Sequence, residues 1–236
     1  MRNKKSLILY CFGIVLLIGI CAIVGRITAK SYIDNTRLDD YLEKENVSVA
    51  YCDMGYDPLT NQGYLDNDKI EDSDDLITKD AIIIRAKLND SFQRELYYEC
   101  VFSQLQILEV YQGDIEVGKC VNIFEPVDCG FKDQMLCTDG YSLMQSGDEY
   151  ILFLKRLKNT YYGDEKYVYA PTSTRYSKYA INDRIPRLFT YEELEGFSSL
   201  QYYSEVKNEE VYLYEEEDYE KYLSLKKQVL EKYNMR

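Results

Sequence analysis

The chain has 236 residues with no His and no Trp, which excludes Ser-His-Asp and Cys-His catalysis in their usual form and zinc sites that use imidazole. Its first 30 residues carry five basic and no acidic side chains, so the remaining 206 hold 23 basic and 41 acidic groups, a net charge of −18. Since a domain this acidic does not attract phosphate backbones, we expect no nucleic-acid partner.

An uncharged apolar segment, residues 6–25, follows three basic side chains at the N-terminus. At about 1.5 Å per helical residue it would span about 30 Å, the thickness of a bilayer's hydrocarbon core. It is predicted to be a transmembrane signal anchor that contacts lipid, with residues 1–5 as a cytoplasmic stub and the C-terminal domain outside the cell. Cleavage near residues 29–31 and lipidation at Cys21 are the alternatives.

Residues 26–76 are predicted to form a polar stalk that ends in an acidic loop. The loop contains the string DNDKIEDSDD at residues 66–75. An EF-hand calcium loop needs Gly at its sixth position, where a loop that begins at Asp66 has Glu71. The interpretation is a solvated acidic loop, with an irregular calcium site as the alternative, and we expect no metal and no cofactor.

Residues 77–189 have the pattern of short β-strands. AIIIRAKL is rich in β-branched residues, and the run YYECVFSQLQILEVY alternates over more than one ordinary strand. A turn with two Gly residues then predicts a hairpin. Five or six strands with short connections favour a small closed barrel, since closure removes exposed strand edges. The predicted strands are 81–88, 97–111, 120–127, 150–154, 166–171 and 175–182.

Residues 190–236 change to helical spacing. In 215–233, apolar residues share one face, acidic residues crowd the start and Lys residues the end, which suits the helix dipole. Thr190 ahead of Glu192 and Glu193 resembles a capping box for a shorter helix. We expect an amphipathic C-terminal helix packed on the barrel, or a partner-binding helix as the alternative. The predicted fold class is mainly β (α+β), a small OB-like β-barrel with this helix and one N-terminal transmembrane helix.

Seven cysteines are present, five of them beyond the apolar segment. No C-x-x-C motif occurs, so disulfides that stabilise the fold are favoured over redox catalysis. Cys129 and Cys137 bracket a short loop and are the simplest disulfide pair. If Val110 faces Cys120 across the hairpin, Cys100 comes close to Cys129 and forms an alternative pair.

The chain also has 25 Tyr against 8 Phe. Tyr packs an apolar face while its hydroxyl finds water or a partner. Pairs at 97–98, 161–162 and 202–203 predict strand and interface residues, or alternatively a surface on which a ligand stacks.

The motifs AIIIRAKL, QILEVYQGDIEVGKCVNIFEP, SGDEYILFLKR and YVYAP occur in this order within about residues 77–182. An L-x-V-Y-x-G-D hairpin followed by a G-x-x-Y-I-L-F-L strand resembles the OB-fold or netrin-module-like barrel of small bacterial envelope proteins. Tissue inhibitors of metalloproteinases share that barrel. These inhibitors chelate zinc through the amine of an N-terminal Cys. This chain begins with an apolar anchor instead, so the resemblance implies the fold but not inhibition.

The sequence thus predicts a membrane-anchored extracytoplasmic binding or assembly protein in the envelope of a Gram-positive-like bacterium. Its expected partners are the bilayer, through residues 6–25, and an envelope component or protein. We expect no catalytic residues. The alternative function is a carboxylate-based hydrolase of envelope glycans, which would need two inward-facing Asp or Glu side chains in a cleft.

Overall fold

A computed structural model of the protein describes residues 13–14, 37–44, 46–53, 64–97, 99–131, 133–157, 168–194 and 201–235. The chain divides into two compact units, Met1–Thr36 and Arg37–Arg236. The predicted membrane span, residues 6–25, lies outside the described residues except for Gly13 and Ile14, which are helical. Within the described part of the chain, no helix combines the length and the apolar character needed to cross a bilayer.

The second unit is mainly β, with a few helices around its sheets. Its elements are α1 (Leu38–Leu42), β1 (Ser48–Cys52), a 3₁₀ turn (Asn67–Lys69), β2 (Ala81–Leu88), β3 (Glu95–Tyr97), β4 (Cys100–Gln112), β5 (Cys120–Glu125), β6 (Val127–Phe131), β7 (Gln134–Thr138), β8 (Glu149–Arg156), β9 (Val168–Pro171), β10 (Lys178–Ala180), β11 (Arg187–Leu188), α2 (Tyr191–Leu194), α3 (Tyr203–Val206), β12 (Tyr212–Leu213) and α4 (Glu216–Lys232).

Five strands close into a barrel, as predicted. The ring runs β2–β4–β5–β9–β8 and returns to β2. Every neighbouring pair is antiparallel except β5 and β9, which are parallel. This order and its single parallel pair are compatible with an OB-like barrel.

Strands β2 and β8 are buried on both faces, which explains their nearly continuous apolar sequences. Ile84 and Leu152 point into the barrel, whereas Ile83, Ile151 and Phe153 point outward. The outward residues pack against helix α4. The buried helical side chains of that cluster are Tyr222, Leu225 and Val229.

The predicted hairpin of β4 and β5 forms, but its register differs from the one that would bring Cys100 near Cys129. Gln106, and not Val110, lies opposite Cys120. The backbone N–H of Ile107 donates to Lys119 O at 3.0 Å, which closes the hairpin there. The remainder of β4 extends past β5 and pairs with β2.

The predicted stalk, residues 26–76, needs correction because part of it belongs to the folded unit. Helix α1 and strand β1 lie in a second apolar cluster, where Leu38 and Val49 are fully buried. Strand β1 pairs in parallel with β7. A five-residue strand with a distant partner leaves little periodic signal in the sequence. Because the sequence around β1 is polar, the burial of this strand cannot be predicted from composition.

Two buried carboxylates bind cationic side chains across different elements. Glu125 accepts hydrogen bonds from Arg94 Nη2 and Ser103 Oγ, both at 2.5 Å. Glu210 Oε2 accepts from Lys226 Nζ of α4 at 2.6 Å. Charges removed from water need such partners, so both pairs constrain the packing around them. At α2, Thr190 N donates to Glu193 Oε2 at 2.7 Å, which is half of the predicted capping box.

The turn after β7 brings two backbones into close contact. Asp139 and Gly140 have φ values of 47° and 78°, in the left-handed region. Tyr212 N donates to Gly140 O at 2.9 Å. A Cβ atom added to Gly140 would lie 1.8 Å from the carbonyl oxygen of Tyr212. Only Gly therefore fits where β12 crosses this turn.

Replacing Gly140 by Ala should lower the free energy of unfolding by about 3 kcal/mol or more, because the new methyl group collides with backbone and the φ value adds strain. Gly147→Ala is the matched control, since Gly147 has a φ of 84° but no atom within 4 Å of the added Cβ. That variant should lose only about 1 kcal/mol. Urea unfolding of both variants measures the difference. Equal losses would contradict the close crossing of β12.

Many of the tyrosines serve as core residues. Tyr179, Tyr212 and Tyr222 are almost completely buried, and burial raises the pKa of each phenol well above its ordinary value. A raised pKa in the folded state gives stability that is present below the unfolded pKa of about 10 and is lost as the pH rises further.

In an alkaline titration, we expect the buried tyrosines to ionise only together with loss of the folded circular dichroism signal. Exposed tyrosines should ionise at lower pH, near about 10. Tyrosinate absorbance and circular dichroism, recorded on the same samples, measure the two events. In denaturant, all the phenols should titrate as one population. Smooth ionisation of all 25 tyrosines without unfolding would contradict the burial.

Candidate functional site

A cavity of about 490 Å³ opens between the 3₁₀ turn, the turn after β7, the loop after β9 and the start of α4. We call it the acidic cleft. Its wall combines seven carboxylates with two cationic side chains, and the loop after β9 supplies one of the cations, Arg175. The acidic members are Asp53, Asp66, Asp68, Asp139, Glu215, Glu217 and Asp218, and the cationic ones are Arg175 and Lys221.

Asn67 connects the segments that form the cleft. Its Nδ2 donates to Asp139 Oδ2 and to Thr174 Oγ1, each at 3.1 Å. Its Oδ1 accepts from Ser173 Oγ at 2.7 Å, and its backbone carbonyl accepts from Lys221 Nζ at 3.1 Å. Thr174 Oγ1 also donates to Asp139. Asn67 thus fixes the 3₁₀ turn against the turn after β7 and the loop after β9 through its side chain, and against α4 through its backbone carbonyl.

Arg175 and Asp218 form the other fixed part of the wall. Their side chains are 10% and 18% exposed and make an ion pair. Tyr176 OH donates to Asp218 Oδ1 at 2.7 Å, and Arg175 Nη2 donates to Tyr51 OH at 2.5 Å. The ring of Tyr51 meets that of Tyr214 edge to face, with centroids 4.8 Å apart. Burial raises the pKa of Tyr51, so its phenol stays protonated at neutral pH.

The cleft carries an excess of negative charge. Lys221 is directed to a backbone carbonyl, and Arg175 is paired with Asp218. In the part of the chain that the structure describes, the carboxylates of Asp68 and Glu217 make no ion pair and no hydrogen bond. A concave surface lined with one sign of charge concentrates the field and attracts counterions. The ligand that suits it is a cation.

Among the described residues, no group of three or more His, Cys, Asp or Glu side chains is arranged to hold a metal.

Asp139 and Asp218 each accept hydrogen bonds from neighbouring side chains. Oxygens that already accept these hydrogen bonds are less free to act on a glycosidic oxygen than the general acid of a glycan hydrolase needs to be.

None of the predicted disulfide residues lines the acidic cleft. All five described cysteines have free thiols, so the disulfide remains a prediction that the structure does not support. Cys129 and Cys137 are buried in one apolar cluster on the neighbouring strands β6 and β7. Burial raises the pKa of Cys129 to about 12, which disfavours the reactive thiolate. Cys120 is exposed and Cys100 is half-buried.

Of the cleft residues, the sequence prediction singled out only those of the acidic loop, 66–75, where an irregular calcium site was the alternative. The acidic string 66–75 supplied Asp66, Asn67 and Asp68, but its carboxylates also cap local turns. Asp75 Oδ2, for example, accepts from the N–H groups of Glu71 and Asp72, which lowers the pKa of Asp75. This string contacts the loop that holds Arg175 only in the folded protein, through the hydrogen bonds of Asn67 to Ser173 and Thr174.

Comparison of the chain with models of known protein families gives no match, and neither does comparison with curated proteins. The strand order is compatible with an OB-like barrel, but that order by itself specifies no ligand. What the protein binds must therefore follow from the chemistry of its own surfaces.

Proposed function

We propose that this protein is a membrane-anchored binding module of the bacterial cell envelope, and that the acidic cleft holds the cationic group of its ligand. The apolar segment 6–25 would serve as the anchor, with the acidic domain outside the cell. The strand order supports placing the barrel with the OB-fold or netrin-module-like barrels of small envelope proteins. The ligand group would be an ammonium or guanidinium, carried by a small molecule or by a Lys or Arg side chain of an envelope protein.

The observation that carries this proposal is the charge balance of the cleft, seven carboxylates against two cationic side chains around about 490 Å³. Its anionic groups come from separate segments, and two of them are fixed, Asp139 by Asn67 and Asp218 by Arg175. Groups that are fixed before binding lose little entropy when the ligand arrives. Tyr64 and Tyr214 add aromatic surface to the same wall, which suits an alkyl-ammonium group.

The alternative function, hydrolysis of envelope glycans by two carboxylates, retains one favourable observation, since carboxylates do line a cleft. The donors around Asp139 and Asp218 suit binding better than acid catalysis. Release of reducing sugars from purified cell-wall glycan by the protein would favour the alternative.

The location is tested with a membrane-impermeant maleimide on intact cells. Cys120 is the exposed thiol among the described cysteines, so it should take most of the label. Cys120→Ser should remove that label, whereas Cys129→Ser, at a buried thiol, should leave it unchanged. A parallel sample that is reduced first shows whether any cysteine is held in a disulfide. Labelling that requires membrane disruption would contradict an external domain.

Ligand binding is tested by calorimetry at low salt on the full chain in detergent, with spermidine and arginine amide as probes. We expect binding of at least one probe, and Glu217→Gln should weaken it by about 1 kcal/mol, or roughly fivefold. Glu192→Gln is the matched control, because it removes the same charge from an exposed position outside the cleft. Equal weakening by both variants would assign the effect to bulk charge. If neither spermidine nor arginine amide binds, the proposed site is overturned.

A further inference from the structure

A second surface, on the outward side of β4 and β5, has chemistry unlike the rest of this acidic protein. Six outward positions face one another across the hairpin, and none of them is charged, although 29% of the chain is charged. The facing pairs are Phe102 with Phe124, Gln104 with Asn122, and Gln106 with Cys120. We call these six residues, together with Asn89 and Tyr97, the aromatic–amide face.

One half of the face is a group of aromatic rings. The centroid of Phe124 lies 5.1 Å from that of Phe102 and 5.1 Å from that of Tyr97 on β3. Phe92 supports the group from behind the turn, 5.9 Å from Phe102. Phe102 is 6% exposed, whereas Tyr97 is 36% exposed. The rings therefore form a platform that is packed underneath and open to solvent at Tyr97.

The other half is a chain of side-chain amides. Asn89 Nδ2 donates to Gln104 Oε1 at 2.7 Å, and Gln104 Nε2 donates to Asn122 Oδ1 at 3.0 Å. Hydrogen bonds in such a chain polarise one another. The chain ends at Asn122, a half-buried residue whose Nδ2 makes no hydrogen bond within the described residues. A polarised donor thus remains available beside the rings.

This combination fits a neutral sugar chain. A pyranose ring has an apolar face of C–H groups, which packs on an aromatic ring, and a rim of hydroxyls, which accept and donate hydrogen bonds to amides. A purely apolar protein partner would leave the amides unpaired, at a cost in free energy. Nucleic acid would need cations, and the charged residues that flank the face, Glu95 on β3 and Lys87 on β2, cancel each other.

We infer that the aromatic–amide face binds a neutral polysaccharide chain, independently of the acidic cleft. Tyr97 and Phe124 would stack a sugar ring, and Asn122 would donate to its hydroxyl or acetamido oxygen. The inference does not rest on the ligand of the acidic cleft, because the two surfaces share no residue.

The test is calorimetric titration of the full chain with chitohexaose and, separately, cellohexaose, in a detergent without a sugar headgroup. We expect binding of at least one hexasaccharide that changes little between about 50 and 500 mM salt, since no charge takes part. Tyr97→Ala should weaken binding about tenfold and Asn122→Ala about fivefold. Circular dichroism of each variant establishes that it is folded.

Tyr202→Ala is the matched control, since Tyr202 has a similar exposure, 41%, but lies outside the face. It should bind as the native protein does. The inference is overturned if neither hexasaccharide binds, if Tyr97→Ala binds normally, or if Tyr202→Ala loses as much affinity as Tyr97→Ala. Competition by spermidine would likewise place the sugar at the acidic cleft and contradict a separate face.

Discussion

The buried carboxylate of Glu210 determines how the C-terminal third of this protein attaches to its barrel. It accepts from Ala180 N at 2.5 Å and from Lys226 Nζ at 2.6 Å, which joins β10 to α4. Lys178 lies beside it, and its ammonium donates to Ser142 O at 2.5 Å. Desolvation raises the pKa of Glu210 and lowers that of Lys178 to about 8, so each charge depends on the others. Removal of one would leave buried charge without compensation.

That attachment also positions both proposed binding surfaces. With α4 held on β2 and β8, its first turn brings Asp218 to Arg175 and completes the wall of the acidic cleft. The same helix leaves the outward side of the β4–β5 hairpin to neutral and aromatic side chains. On our proposals, one scaffold thus keeps the site for positive charge separate from the site for an uncharged polymer.

The sequence predicts the elements whose pattern is local. Strand β2 coincides with the predicted 81–88, and α4, Glu216–Lys232, lies within the predicted 215–233, because each run carries its own apolar period. The burial of α1 and β1 was missed because it depends on a distant partner strand. The cleft was missed for the same reason, since Asn67, Asp139 and Arg175 meet only through tertiary hydrogen bonds. The tyrosine pairs were predicted to be strand and interface residues, whereas the rings that fill the core, such as those of Tyr179, Tyr212 and Tyr222, were not singled out.

The double-sided burial of β2 and β8 has a consequence for biogenesis. Their outward residues, Ile83 and Phe153 among them, acquire a cover only from a helix that begins at Glu216, more than 60 residues further along the chain. If the domain emerges from a membrane with its N-terminus first, this apolar face is uncovered until almost the whole chain has crossed. Long-range closure of this kind is slow, and the exposed strands are prone to aggregate meanwhile. If the domain is exported in this way, the incomplete barrel must be kept apart from its neighbours until helix α4 has crossed.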